Sequence, residues 1–236
     1  MSSILITGTD TGVGKTLVCG YLARFLAERG RNVTTQKWVQ TGCPERPEDL
    51  EVHCRLMGEA PEQLSPQTVR LRCPYLFELP ASPHLAAARE DAQVDPAVIR
   101  RAHQQLAARH DIVLVEGAGG VHVPLTEELL LGDLAARLGL AAVVVVRNAL
   151  GCINHSLLTV EALRRRQIPV LGLIFNAAAD AGEDAVRRDN PRIIGKVAGV
   201  PVLGEFPRLD DPLAGQEEFE PIGEEFARRW EAETLS

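Results

Sequence analysis

Short apolar runs alternate with amphipathic stretches along the whole chain. The run Ser3 to Thr7 predicts a buried strand that ends in a glycine loop. From Lys15 to Arg29, Leu17, Val18, Tyr21, Leu22, Phe25 and Leu26 recur at helical spacing, and Gly30 stops the pattern. Asn32 to Val39 reads as a second strand, so the chain opens with a βαβ unit whose strands should lie parallel.

Residues 42 to 93 carry several prolines and only short apolar groups, with one clearer helical piece from Pro47 to Met57. Asp95 to Arg109 predicts a helix, with Asp95 as its cap and Pro96 at the first helical position. Strands are expected at Ile112 to Val115, Ala141 to Val146, Val170 to Phe175 and Val202-Leu203. Helices are expected at Leu131 to Leu138, Ile153 to Arg166 and Ile222 to Ala232, with a charged helical stretch after Asn176 interrupted near Asn190-Pro191. The strand Ala141 to Val146 is apolar on both faces, as in the middle of a parallel sheet. No internal repeat, low-complexity tract or Gly/Ser linker breaks the alternation. It predicts one three-layer α/β domain over residues 1–236, a mostly parallel central sheet flanked by helices.

Composition narrows the function classes. The net charge of −7 gives no electrostatic footprint for nucleic acid. The longest strongly apolar run, Leu138 to Val146, is too short to span a bilayer, and the first strand begins at once, leaving no room for a leader. The five cysteines form no CxxC pair and read as reduced, mostly buried thiols of a cytoplasmic protein.

The chemistry begins at Gly8-Thr9-Asp10-Thr11-Gly12-Val13-Gly14-Lys15-Thr16, a phosphate loop one residue longer than the standard form. Its glycines let backbone N–H groups turn inward around phosphate oxygens, and the helix that follows adds its positive end. Lys15 is expected on the β- and γ-phosphates, and Thr16 is expected to offer its hydroxyl to Mg²⁺. ATP is favoured over GTP, since no NKxD-type guanine motif appears near the later strands. Glu116 follows an apolar strand, where an acid commonly holds Mg²⁺, and the nearby Gly117, Gly119 and Gly120 imply close backbone approach. Lys37 stands near the carboxyl end of the second strand, where ligands of open parallel sheets bind; a solvated lysine reads equally well there. Asn154 reads as a cap for the next helix, His84 as a loop residue, and the six histidines show no metal-ligand spacing.

Six segments together resemble the dethiobiotin synthetase family: Gly8 to Thr16, Lys37-Trp-Val-Gln-Thr-Gly42, Ala81-Ser-Pro-His84, Val115-Glu-Gly-Ala-Gly-Gly120, Leu150-Gly-Cys-Ile-Asn-His155 and Leu203-Gly-Glu-Phe-Pro207. They come in the family's order and spacing, from the first strand to the last. The Lys37 and Gly-Cys-Ile-Asn-His motifs are the more specific; the phosphate loop is shared with relatives.

The resemblance implies a P-loop NTPase fold and an ATP-dependent cyclo-ligase. Such an enzyme joins 7,8-diaminopelargonic acid and carbon dioxide into dethiobiotin, with ADP and phosphate released. It implies Lys37 as the catalytic lysine beside carbamate and γ-phosphate, with Lys15, and Thr41 against substrate. It implies Thr16, Glu116 and Asp49 as Mg²⁺ ligands, with Glu48 and Glu51 as alternatives to Asp49. The nucleotide would lie against Thr11, Gly12, Val13, Gly14, Lys15, Thr16, Leu17, Gly117, Ala118 and Gly119, with Asn176 on the adenine edge and Pro207, Arg208 and Leu209 as the adenine-side loop. Leu150, Gly151, Cys152, Ile153 and Asn154 match the segment that reaches the substrate carboxylate from a partner subunit, which implies a homodimer.

Three departures stand out. Trp38 replaces a frequent Pro, Arg147-Asn148-Ala149 stands where a lysine-containing variant is frequent, and Ala177 stands where Asp can follow Asn176. Two other readings share the loop: a P-loop switch of the partitioning or iron-protein kind, and an amide-forming ligase of the cobyrinate type. The first typically has a lysine where this chain has Thr9 and Asp10; the second needs a glutaminase domain.

Overall fold

The computed structural model describes residues 2–177 and 184–234. The elements in chain order are β1 (Ser2–Gly8), α1 (Lys15–Glu28), β2 (Val33–Lys37), β3 (Val39–Thr41), α2 (Glu48–Leu56), α3 (Pro66–Arg72), β4 (Tyr75–Phe77), α4 (Pro83–Arg89) and α5 (Pro96–Ala107). There follow β5 (Ile112–Glu116), α6 (Leu131–Arg137), β6 (Ala141–Asn148), α7 (Cys152–Arg165), β7 (Val170–Ala177), α8 (Asp184–Ala198), β8 (Val202–Phe206) and α9 (Gln216–Thr234).

Six strands form one sheet in the order β2-β5-β1-β6-β7-β8, and every pairing is parallel. The two-residue period of the strands divides the core into two layers. Leu5, Val113, Val115, Val144 and Val146 pack beneath α4 to α8. Ile4, Ile6, Ile112, Leu114, Val143 and Val145 face α1 and α9, where Phe25, Phe219 and Phe226 are buried. This is the three-layer α/β architecture that the alternation predicts.

Four expectations need correction. The second strand does not run from Asn32 to Val39: it stops at Lys37, and Val39–Thr41 pairs instead with Tyr75–Phe77 in a separate two-stranded sheet. The break falls at Trp38, which is wholly buried and donates its indole N–H to Gln36 Oε1 at 3.1 Å. Burying that large ring takes the chain out of the main sheet one residue after Lys37.

The stretch after Asn176 begins in residues outside the described set, but from Asp184 to Ala198 it is one helix that continues through Pro191. Proline has no N–H to give the carbonyl four residues back, which is that of Arg187. Asn148 supplies the missing donor, its Nδ2 lying 2.9 Å from Arg187 O, and Asn190 Nδ2 in turn holds Asn148 Oδ1 at 2.9 Å. The last helix likewise begins at Gln216 rather than Ile222. Pro221 lies inside it, in the second turn, and has no N–H to give the carbonyl four residues back, that of Glu217.

The stretch 42–93 contains structure that its sequence pattern hides. Besides α2 it holds α3, β4 and α4, so His84 sits in a helical first turn, with Nδ1 3.1 Å from Ser82 Oγ, rather than in a loop. Arg72 fastens this region to the main sheet: its buried guanidinium donates to Thr35 O at 3.1 Å and to Thr35 Oγ1 at 2.7 Å, and pairs with Glu59.

Candidate active site

The site lies beyond the carboxyl ends of β1, β2 and β5, where β1 meets neighbours from both halves of the sheet. Register sets its first pair: Lys37, last in β2, stands opposite Glu116, last in β5. Both carry the parity of the residues that face α1, so both side chains meet the start of that helix.

The phosphate loop joins β1 to α1 through Gly14, whose backbone has an unusual need. Gly14 caps α1 at φ 94°, a left-handed conformation that costs an L side chain strain. A side chain there would also collide with the Asn176 amide. Across the loop, Gly120 comes so close to Gly8 that a Cβ would sit 3.1 Å from Gly8 O. The close approach predicted for the Glu116 glycines is therefore, at Gly120, to the phosphate loop itself. Lys15 is buried and donates to Asp10 O at 2.8 Å. Burial lowers its pKa to about 8, against the pull of Glu116.

Helix α2 brings in the third part. Asp49, in its first turn, is held by a 3.3 Å bond from its own N–H to Gln40 Oε1. The Lys37 ammonium lies 2.7 Å from Asp49 Oδ2 and 2.6 Å from Glu116 Oε1. Thr16 Oγ1 lies 3.1 Å from Asp49 Oδ1 and 3.1 Å from Glu116 Oε1. Two carboxylates, one ammonium and one hydroxyl thus share a single point. Burial opposes the Lys37 charge, but Glu116 and Asp49 outweigh it and hold its pKa above the usual lysine value. Burial would likewise raise Glu116; the Lys37 charge and a hydrogen bond from His53 overcome it and bring that carboxyl down to about 2.

Thr16, Asp49 and Glu116 could hold a hard divalent cation. The donor set is all oxygen, and a magnesium ion needs only one or two carboxylates when substrate phosphates and waters complete its shell. The ammonium already resting among these oxygens marks the point as one that favours positive charge. Glu48 is exposed, and Glu51 pairs instead with Arg46 at 3.3 Å and Arg55 at 3.7 Å.

A cavity of about 730 Å³ joins these groups. Thr11, Gly12, Gly14, Lys15, Thr16, Leu17, Lys37, Thr41, Asp49, Glu116, Ala118 and Gly119 line it, together with Val39, Gln40, Val123 and the segment Pro80 to Pro83. Asn176 stands at the end of β7 with Nδ2 2.6 Å from Val13 O. A carbonyl can only accept, so the amide orientation is fixed, and Asn176 Oδ1 is left buried with no partner.

The family model described as an AAA domain (AAA_26) matches residues 2–214. The ATP-dependent dethiobiotin synthetase BioD of Chlorobaculum tepidum is 42% identical over 212 residues, 90% of this chain and 87% of that protein. BioD 2 of Haemophilus influenzae is 41% identical over 189 residues, 79% of this chain and 97% of that one. The chain belongs to the dethiobiotin synthetase family. Among solved structures, the MinC:MinD cell division complex of Aquifex aeolicus aligns with a TM-score of 0.62 at 17% identity, covering 98% of this chain and 96% of that chain. MinD of Pyrococcus furiosus aligns at 0.57 and 19%, covering 97% and 99%. At such identities the likeness shows the shared P-loop NTPase fold alone.

Not every residue that the family resemblance singles out reaches this cavity. Val13 is buried within the loop, and Gly117 packs against Leu131. Pro207 and Arg208 are exposed and Leu209 partly buried; they follow Phe206, which is in register with Asn176, so they share the same edge of the sheet. Leu150 to Asn154 do not line the cavity: Leu150 is 89% exposed and Ile153 39%. Asn154 is not the cap of α7 either, since that helix starts at Cys152 behind Gly151.

Two functional features escaped the sequence. The helical piece from Pro47 to Met57 gives His53 no marked role in the sequence, yet it is buried against Glu116. Its spacing of four from Asp49 was the available signal. Gln40, which positions Asp49, was marked only by its place in the Lys37-Trp-Val-Gln-Thr-Gly42 segment.

Proposed function

We propose that this protein is an ATP-dependent dethiobiotin synthetase, a ligase that forms C–N bonds, working as a single domain on 7,8-diaminopelargonic acid and carbon dioxide. The observation that carries the reading is the buried Lys37 ammonium set between Asp49 and Glu116, opposite Lys15, in one cavity with the phosphate loop. The reaction brings a carbamate up to a triphosphate, so its need is for cations held dry between two anions.

One amine of the substrate adds to carbon dioxide and loses a proton, giving a carbamate. A carbamate oxygen attacks the γ-phosphorus and ADP leaves. The second amine then attacks the carbamate carbon, phosphate leaves with that oxygen, and the ureido ring closes. Lys15 would bind the β- and γ-phosphates through its ammonium. Lys37 would leave the two carboxylates and hold the carbamate oxygen against the γ-phosphate. Thr41 would give its hydroxyl to the substrate. Thr16, Asp49 and Glu116 would hold Mg²⁺, which when bound neutralises phosphate charge. The transfer itself is mainly positioning and charge stabilisation.

The unpartnered Asn176 Oδ1 supports adenine as the base: it is an acceptor in search of a donor, which the 6-amino group of adenine offers and the 6-oxo group of guanine does not. Pro207, Arg208 and Leu209 would flank that base. The exposed Leu150 to Asn154 segment supports a homodimer in which this segment completes the partner's substrate site. Among the described residues, no helix is long and apolar enough to cross a membrane.

The test is the co-substrate dependence of ATP turnover. ADP release should need both the diamine and bicarbonate. The reading is wrong if ADP forms at the same rate without the diamine.

A further inference from the structure

We infer that His53 is a positioning residue for the cation site, fixing Glu116 so that one carboxylate oxygen alone is turned toward Thr16, Lys37 and Asp49. The inference rests on the reading of Glu116 as a cation ligand.

Helix α2 places Asp49 and His53 four residues apart, on one face. Asp49 meets Lys37 and Thr16 directly. His53 lies one turn deeper, wholly buried, with Nε2 2.8 Å from Glu116 Oε2. The other oxygen, Oε1, receives both Lys37 and Thr16. The carboxylate is thus divided: Oε2 is bound on the helix side and Oε1 is offered to the shared point.

The tautomer follows from the partner. An ionised carboxylate only accepts, so the proton sits on His53 Nε2. His53 Nδ1 is buried with no partner. A buried unsatisfied nitrogen is destabilising, so an apolar side chain of similar size would fill this space at less cost. What histidine supplies there is its single N–H to Glu116. Without that donor, Oε2 would be the orphan in a dry interior, and the carboxylate could turn to share its bonds among both oxygens. Groups that hold metal ligands in this way set affinity: their loss typically costs about 10–100-fold.

The experiment uses the full chain, Mn²⁺ as probe, and a non-hydrolysable ATP analogue with an imido bridge between its β- and γ-phosphorus atoms. Free Mn²⁺ is read by electron paramagnetic resonance. His53→Phe should weaken Mn²⁺ binding about tenfold or more and raise the Mg²⁺ concentration for half-maximal turnover by a similar factor, with the diamine KM within about twofold. His53→Gln keeps an N–H within reach of Oε2 and should recover most of the affinity. The shorter His53→Asn should not, and the Gln/Asn pair decides the matter if the Phe variant does not fold. Wild-type Mn²⁺ affinity in His53→Phe, whatever its melting temperature, would reduce His53 to packing; equal affinities in the Gln and Asn variants would do the same. Mn²⁺ binding is read without turnover. A wild-type protein that binds Mn²⁺ with the nucleotide but fixes no bicarbonate would therefore overturn the synthetase reading and leave the His53 test standing.

Discussion

The Lys37 side of the site and the Leu150 to Asn154 segment carry the more specific sequence motifs, yet the fold treats them oppositely. Around Lys37 the polar side chains bond to one another: Glu116 is 1% exposed and bonded to Lys37, Thr16 and His53. At the other motif Leu150 projects 89% into solvent, and the segment lines no part of its own chain's cavity. A motif held in a buried network is complete within one chain. Exposed Leu150, with Ile153 and Leu158 exposed after it, would form the face that a partner subunit covers in the proposed homodimer.

The largest effect should come from the buried side. Lys37→Ala should lower turnover by about a thousandfold while ATP affinity stays within a few-fold, measured by phosphate release and by calorimetry. Lys15→Ala should weaken both. Equal loss of ATP affinity in the two variants would remove the special role of Lys37.

Acid should attack the buried side next, through the network under Lys37. His103 Nδ1 lies 3.0 Å from Gln36 Oε1, an acceptor, so that nitrogen carries the proton and Nε2 accepts from Ser3 Oγ at 3.0 Å. Burial lowers the His103 pKa from 6.5 to about 4. Above pH 6.5 both folded and unfolded chains hold it neutral. As pH falls from 6.5 toward 4 only the unfolded chain takes up the proton, so stability drops, in the limit by about 3 kcal/mol. Glu116 adds its own loss lower, as pH falls from 4.5 toward 2. Urea melts at pH 7, 5.5 and 4.5 should show the first decline, and His103→Gln should flatten it. An unchanged slope in that variant would contradict the assignment.

The smallest effect tests the exposed side. Leu150→Asp should leave stability within about 0.5 kcal/mol, as surface changes do. It should nevertheless raise the diamine KM about tenfold and shift sedimentation toward the monomer, a factor equal to about 1.4 kcal/mol. Unchanged KM and sedimentation would mean that the contrast between the two regions has no functional meaning.

The same contrast explains what was legible in the sequence. The strands of the main sheet were readable because apolar runs bounded by glycine leave few alternatives, and the phosphate loop because its spacing is tied to its chemistry. Trp38 hid the split of the second strand, since a large apolar residue extends a hydrophobic run whether or not the chain stays in the sheet. Pro191 suggested a helix break because its repair by Asn148 comes from 43 positions earlier in the chain (191 − 148), beyond any local pattern. Residues 42 to 93 were opaque because their short elements are held by long-range bonds such as Arg72 to Thr35. Asp49 could be picked from three neighbouring acids only through the family resemblance. His53 lacked even that, since burial beside Glu116 is a tertiary fact.

The central claim is that ATP is spent on phosphorylating a carbamate rather than on hydrolysis. It is tested by supplying carbon dioxide labelled with oxygen-18, freshly dissolved, together with the diamine and ATP, and following the label into inorganic phosphate by mass spectrometry. The account predicts one labelled oxygen in each phosphate released, carried over when the ring closes. Phosphate whose new oxygen comes from water would contradict it.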